Sequence, residues 1–336
     1  CGEGSCLVSD EAVSTDSSGG KKSTLNFPAI VKGITFQNAS KQAAMVIGVR
    51  VSSEGWPRME HIIRIEDCIF KENRMVSKSA GAGMNIMNAA NVTIFNCSFT
   101  DNFASDGGAL DIQSSSVMLE LTEFFMNNAS ANGGAMTASS VSTYDRTMIK
   151  FLTLTFKGNK ALENGGAAYL DSVDITQCES VVFDRNKAAS EGGALYLASS
   201  TLNAQDTSFV ANEVGDTLSS AVVSGGAIKC IASKSVVFTE SEFIRNKAIS
   251  ADSADGGVIS TIYCTITLIK SEATDNVATR HGGVFHLTGS SNVISEQSTF
   301  IGNSATSNGG TVFCSDCNAN GRLVSTVMLN SSAAEG

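Results

Sequence analysis

Chemistry on a sugar or peptide needs carboxylates, histidines or thiols brought together at a usable spacing, and this 336-residue chain offers few candidates. Asp111 and Asp171 lie in strand-like runs, four and six residues after the first glycine of a Gly pair. They are two residues out of register, so they cannot face each other as the carboxylates of a glycoside hydrolase do. His281 and His286 flank GGVF with no acid constellation beyond Asp275, and a lyase base beside acid-bound Ca²⁺ finds no better set. Asp216, Asp252 and Asp255 crowd two long loops but lack an EF-hand spacing, and they read as solvated loop acids. CSDC at 314 closes a local loop or supplies half a zinc site, and no second CxxC or HxxxH completes it. With 1 Trp and 4 Tyr, the aromatic platforms of a sugar groove are not expected. The residues predict no enzyme, no cofactor and no metal.

The thiols are more informative as structure. Cys68 and Cys97 each stand two residues before a Phe, so in successive turns of a regular coil they stack within the range of a disulfide. Cys68–Cys97, Cys314–Cys317 and Cys1–Cys6 are the candidate pairs among 9 cysteines, whereas Cys230 and Cys314 are too far apart to bond. Asn38, Asn91, Asn96, Asn128 and Asn330 head Asn-x-Ser/Thr sequons, candidates for N-glycosylation. Both features suit an exported protein. A formal net charge of −10 with no basic run argues against nucleic acid or an anionic membrane surface as partner. No apolar run reaches the ~18–20 residues of a membrane helix.

What would position any of these residues is a repeat. A Phe-x-x-Asn element recurs as Phe70/Asn73, Phe99/Asn102, Phe124/Asn127, Phe156/Asn159, Phe183/Asn186, Phe209/Asn212, Phe243/Asn246 and Phe300/Asn303, with ATDN at 273 lacking the Phe. An abbreviated TFQN ends at Asn38. The step from Phe70 to Phe300 averages about 29 residues. A second marker keeps pace with it: Gly107–Gly108, Gly133–Gly134, Gly165–Gly166, Gly192–Gly193, Gly225–Gly226, Gly256–Gly257, Gly282–Gly283 and Gly309–Gly310. After each pair come alternating runs such as ALYLAS and SVVF, separated by Ser- or Asn-rich turns, with no stretch of helical periodicity.

Such a unit cannot bury its apolar face alone and must stack on its neighbours. The period is too short for the ~40-residue blades of a propeller. The prediction is an all-β, right-handed, single-stranded parallel β-helix (β-solenoid) of about ten coils, rising about 45–50 Å along its axis. Phe residues should stack inside. Asn residues, tolerant of left-handed backbone, should turn one corner, and the Gly pairs a second corner where side chains would clash. Residues 31–330 form the helix, 1–30 an N-terminal cap or linker, and 331–336 the start of a further coil or a cut end.

GGAL at 107 and 192, GGAM at 133, GGAA at 165 and GGAI at 225, together with the FxxN elements, resemble the repeats of the polymorphic membrane proteins of chlamydiae and related surface proteins of protists and algae. The resemblance covers about residues 60–320 and weakens to GGVI, GGVF and GGTV towards the end. It implies a β-helix displayed at a cell surface with adhesion as its activity and no catalytic residues to carry over. The C-terminal translocator barrel of full-length members is lacking, and RLVSTVMLNSS reads as another coil, so the natural chain is expected to continue or to meet a partner there.

Function is expected where the repeat is interrupted, because insertions emerge as loops on one face. Thirteen residues separate Asn212 from Gly225 and ten separate Asn246 from Gly256, where six is usual. These loops, 213–224 and 247–255, belong to adjacent coils and should stand side by side. Further insertions hold VSTYDRTMIK and EGWPRMEH. The sequence thus predicts a secreted or surface β-helix used for adhesion or structural assembly with other proteins, surface glycans or copies of itself, without membrane insertion. A pectin-lyase-like carbohydrate-active enzyme or glycan-binding module is the alternative.

Overall fold

A computed structural model describes residues 6–8, 29–40, 42–48, 62–75, 80–141, 146–218, 220–317 and 321–334. Strands of two to seven residues are linked by sharp corners, and every pairing between them is parallel. Strands in the same place of successive coils join into sheets of eleven, eleven, eleven and nine strands, plus one of two. The chain is a parallel β-helix without α-helix in the described residues, and no helix there is long and apolar enough to cross a membrane. Strands Cys6–Val8 and Ala29–Lys32 already belong to two of the long sheets, so pairing begins inside the segment expected as a cap. At the other end, 322–324, 327–329 and 332–333 continue three sheets as a further coil.

The coil beginning at Gly192 shows how local sequence sets the path. Leu195–Ala198, Thr201–Gln205 and Ser208–Val210 each alternate, burying Leu195, Leu197, Leu202, Ala204 and Phe209 while their neighbours face out. That period of two is what a strand with one inward face requires. Gly192 opens the coil at φ +63°, in the left-handed region where a Cβ is strained. Gly193 does a different job: a Cβ there would collide with the Gly226 carbonyl of the next coil, so only glycine lets the backbones approach.

Inside, Phe36, Phe70, Phe99, Phe124, Phe156, Phe183, Phe209 and Phe243 form one column with ring centroids 4.6–5.2 Å apart. Each fully buried ring contributes about 1.5–3 kcal/mol of hydrophobic stabilisation. The column breaks at Ala273, and beyond it Phe300 meets Phe285 edge-on at 5.8 Å.

The Asn residues correct the expectation. Asn73, Asn102, Asn159, Asn186, Asn212, Asn246 and Asn303 do not supply the left-handed turn; that falls on the residue before each of them, such as Glu72 (φ 55°), Asp101 (54°) or Arg185 (54°). Each Asn is instead buried inside the corner and bonds the coils together. Asn102 shows the change of role. Its backbone is not left-handed, and its Nδ2 donates to the Phe70 carbonyl of the preceding coil (2.9 Å) and to Asn127 Oδ1 of the next (2.9 Å). Its Oδ1 accepts from Asn73 N (3.2 Å) and Nδ2 (2.9 Å). Asn186 repeats this, donating to the Phe156 carbonyl (2.9 Å) and Asn212 Oδ1 (3.0 Å) while accepting from Asn159 N (3.0 Å) and Nδ2 (2.9 Å). The pattern runs from Asn73 through Asn303 and leaves no buried amide atom of the ladder unpaired. In TFQN the register slips by one: Asn38 is the left-handed residue (φ 60°) and Ala39 takes the ladder place.

Cys68 and Cys97 stack in adjacent coils but are free thiols, contrary to the proposed bond. Both occupy another inward ladder. Cys97 Sγ lies 3.4 Å from the N–H of Cys68, as Thr122 Oγ1 lies 3.3 Å from the N–H of Cys97 one coil on. Each thiol donates to a carbonyl of its own coil, Glu66 and Phe95, so the sulfurs are held side by side rather than towards each other. Burial pushes the Cys97 thiol up to about 12. Among the described residues the covalent link between coils is Cys230–Cys264, with Cα atoms 6.4 Å apart, and Cys314 bonds Cys317 locally. Cys1–Cys6 falls outside the described residues, as do Trp56 and the whole EGWPRMEH insertion.

Candidate functional site

Outward-facing strand residues are normally exposed, yet on the sheet that follows the Gly pairs several are buried. The fourth residue after each first glycine runs in register from Asp111 through Thr137, Tyr169, Tyr196, Lys229, Ser260 and His286 to Phe313. Asp111 is 3% exposed and Lys229 4%. The tight glycine corner explains this. It folds the residue preceding the pair over the sheet, so a second row, Asp106, Asn132, Asn164, Glu191, Ser224, Asp255 and His281, stands opposite the first. The result is a double row of mainly polar side chains parallel to the helix axis, here termed the groove.

Its walls are bonded to one another. Lys229 Nζ reaches Ser224 Oγ (2.8 Å), Ser260 Oγ (3.3 Å) and Glu191 Oε1 (3.1 Å), so all three of its protons are engaged. Asp111 accepts from Thr137 Oγ1 (2.7 Å) and Gln113 Nε2 (2.8 Å), and burial raises its carboxyl to about 6 despite those bonds. Asp255, 3% exposed, is gripped by both ends of the Arg280 guanidinium, with His286 Nδ1 at 3.7 Å. Burial lowers the His286 pKa, the nearby Asp255 opposes this, and the ring is favoured in its neutral form.

Aromatic faces are present after all. Tyr169 and Tyr196 stack at 4.7 Å and 8°, half-buried in the groove floor, and burial lifts the Tyr196 hydroxyl to about 12. Beyond them, Phe313 stacks on His281 at 4.2 Å and lies 5.6 Å from His286. His281 Nδ1 is buried with no hydrogen-bond partner.

Sequence-predicted residues are therefore sorted anew. The acid beside the histidines is Asp255 rather than Asp275: His286 Nδ1 lies 3.7 Å from it and His281 bridges it through the backbone, because adjacent coils bring it alongside. Asp255 is an ion-paired wall residue, not a solvated loop acid. Asp171 stays apart from Asp111, on the outer edge of its strand two coils away. No group of three or more potential metal ligands occurs among the described residues. The ladder residues, Asn102 among them, face the interior and take no part in the groove. Of the sequons, Asn38, Asn91, Asn96 and Asn330 sit at exposed left-handed corners, whereas Asn128 lies in a strand with its Oδ1 buried and unpaired.

The two long insertions stand side by side, as their positions imply. Glu213–Gly215 pairs with Lys247–Ile249, and Val223–Ser224 with Ala254–Asp255. Between these strands Ala188, Val214, Val223, Ala248 and Ala254 form a small separate core. Ser224 and Asp255 are groove residues, so the insertions build one wall and then project beyond it to Leu218 (94% exposed) and Val222 (69%). The third insertion returns Arg146 to Asp174 at 3.0 Å; its residues 142–145 are outside the described set.

Comparison with known proteins fits this geometry. The right handed beta helix region model matches residues 12–223, more than half of the chain. The Chlamydia polymorphic membrane protein repeat model matches residues 297–315, a span holding Phe300, Asn303 and the Gly309–Gly310 pair. No curated protein and no solved structure matches the chain.

Proposed function

We propose that this chain, which belongs to the right-handed β-helix family, is a non-catalytic binding element displayed outside the cell, where it adheres to other molecules through the lateral groove and its projecting wall. The observation that carries this reading is that the two departures from the repeat pair with each other and extend one side of the groove into an apolar tip. A regular stack gives every coil the same outline; a wall raised on two neighbouring coils singles out one place for contact. The repeat match at 297–315 supports an outer-surface setting, and the exposed sequons at corners are compatible with it.

Catalysis is the less favoured reading for a chemical reason. A hydrolase or lyase needs carboxylates free to touch the reacting bond. The two most buried groove acids are already committed, Asp111 to Thr137 and Gln113 and Asp255 to Arg280.

Removing residues 216–222 tests the proposal. Beads coated with the full chain should adhere to cultured cells or extracellular matrix, and beads carrying the deletion should lose at least tenfold in adhesion with an unchanged β-rich circular dichroism spectrum. Equal adhesion by both would sink the reading.

A further inference from the structure

We infer that a notch at the Phe–Asn corner, centred on Ala211, binds a single phosphomonoester group. This goes beyond the adhesive role proposed above and does not depend on it. The site is assembled by the fold, not by any basic run in the sequence. The left-handed residues of successive corners stack in the order Arg185 (φ 54°), Ala211 (52°), Arg245 (54°) and Asp275 (56°), because the N–H of each bonds the carbonyl just before the next. Two exposed arginines thus stand two coils apart, about 9–10 Å at the usual strand spacing, with only a methyl group between them. Lys247, also exposed, opens the neighbouring strand two residues after Arg245. Asp184, Arg185, Val210, Ala211, Arg245 and Lys247 line the resulting depression, of about 560 Å³.

Charge on this lining is unbalanced. Asp184 is its one carboxylate, and Arg185 takes both oxygens, Nε to Oδ1 at 3.0 Å and Nη2 to Oδ2 at 2.8 Å, with Lys157 Nζ 3.6 Å from Oδ2. The Arg185 guanidinium keeps that carboxyl below its ordinary range. The two-point grip fixes the guanidinium plane and leaves three of its five N–H donors for a ligand. Glu213, in the coil of Ala211, is engaged by Lys187 at 2.6 Å and does not line the depression. Among the described residues the side chains of Arg245 and Lys247 have no acidic partner. The lining therefore holds three cations against one acid, on a chain of formal net charge −10.

That surplus selects the ligand. A phosphomonoester carries about −1.5 to −2 charges at neutral pH and three strong acceptor oxygens, which match a surplus of two and the forked donors of arginine. A carboxylate, a sulfate ester or a phosphodiester brings a single charge. A longer polyanion would run from Arg245 onto the exposed Asp275 of the next coil, so the notch suits one group and not a chain of them. The coils of Ala211 and Arg245 are also those that carry the insertions 213–224 and 247–255, which places the notch at the foot of the projecting wall.

Titration calorimetry of the full chain, at low salt and about pH 7.5 where the ester is dianionic, tests this with glucose 6-phosphate, O-phosphoserine, inorganic phosphate and glucose 6-sulfate. At least one phosphate ester should bind saturably, no more weakly than inorganic phosphate and at least about fivefold more tightly than the sulfate. The ester that binds better names the kind of carrier, a sugar or a peptide. Arg245→Gln should weaken that binding about tenfold and Lys247→Gln several-fold. Lys234→Gln, exposed at a different corner, should leave it unchanged. Ala211→Glu puts a carboxylate into the notch at a position where a non-glycine residue already bears the left-handed backbone, so it should abolish binding with an unchanged β-rich circular dichroism spectrum. No saturable binding of either ester, binding of inorganic phosphate alone, equal affinity for the sulfate, or full affinity in folded Arg245→Gln or Ala211→Glu would overturn the inference.

Discussion

Two corners of the same coil behave in opposite ways. At the Phe–Asn corner, side chains point inward, and nine Asn residues from Asn73 to Asn303 repeat one hydrogen-bonding scheme. At the Gly-pair corner, the backbone is held constant by glycine while the side chains beside it change from coil to coil, from Asp111 to Tyr196 to His286. The difference teaches that the repeat fixes what faces the axis and frees what faces the groove. Stability and surface chemistry are therefore written on different residues of the same period.

That division can be broken or sharpened by substitution. Phe183→Ala should have the largest effect, about 3–5 kcal/mol, because its cavity cannot be refilled within a column of stacked rings; an unchanged denaturant midpoint would refute the interior column. Asn186→Ala should cost about 3 kcal/mol, since it strands Asn159 N and Nδ2 and the Phe156 carbonyl without solvent. A loss below that of an exposed corner residue such as Arg185→Ala would show that the ladder is dispensable.

Asp111 gives a smaller effect with a distinct pH signature. Its folded pKa, about 6, lies above the ordinary carboxylate value of 3.8, so the native state binds the extra proton between those values. Stability should fall as pH rises from 4 to 7, by at most about 3 kcal/mol from this group. Asp111→Asn should flatten that part of the stability–pH curve; an identical slope would remove the assigned burial cost. Smallest should be Tyr196→Ala in the half-buried outer row, about 1 kcal/mol or less in a denaturant titration; a loss as large as that of Phe183→Ala would refute the contrast between the two corners.

The sequence reveals the Phe–Asn side readily because inward positions tolerate few residue types. Only a flat ring stacks, and only an amide can give and take in both directions along the axis. It reveals the groove poorly because those positions share a place and no chemistry; Asp111, Lys229 and His286 look unrelated until each is counted four residues from its glycine. Counting acids in sequence hid the Asp255–His286 contact for the same reason, since 31 positions apart is one coil apart. Cys230–Cys264 escaped notice because its members do not share a register position: one lies in a strand and the other at the following corner. Misplacing the left-handed residue on Asn, at Asn102 and Asn186 rather than Asp101 and Arg185, followed from propensity alone, which tertiary hydrogen bonding overrode.

Stacked coils also have a mechanical meaning. The hydrogen bonds between coils run along the axis, so tension is carried from one coil to the next in series, and the weakest interface limits what the whole stack bears. Cys230–Cys264 bridges two neighbouring coils at the level of the paired insertions. A covalent rivet therefore sits at the coils that carry the exposed Leu218 and Val222, and the interface between those coils is one that backbone hydrogen bonds do not hold alone.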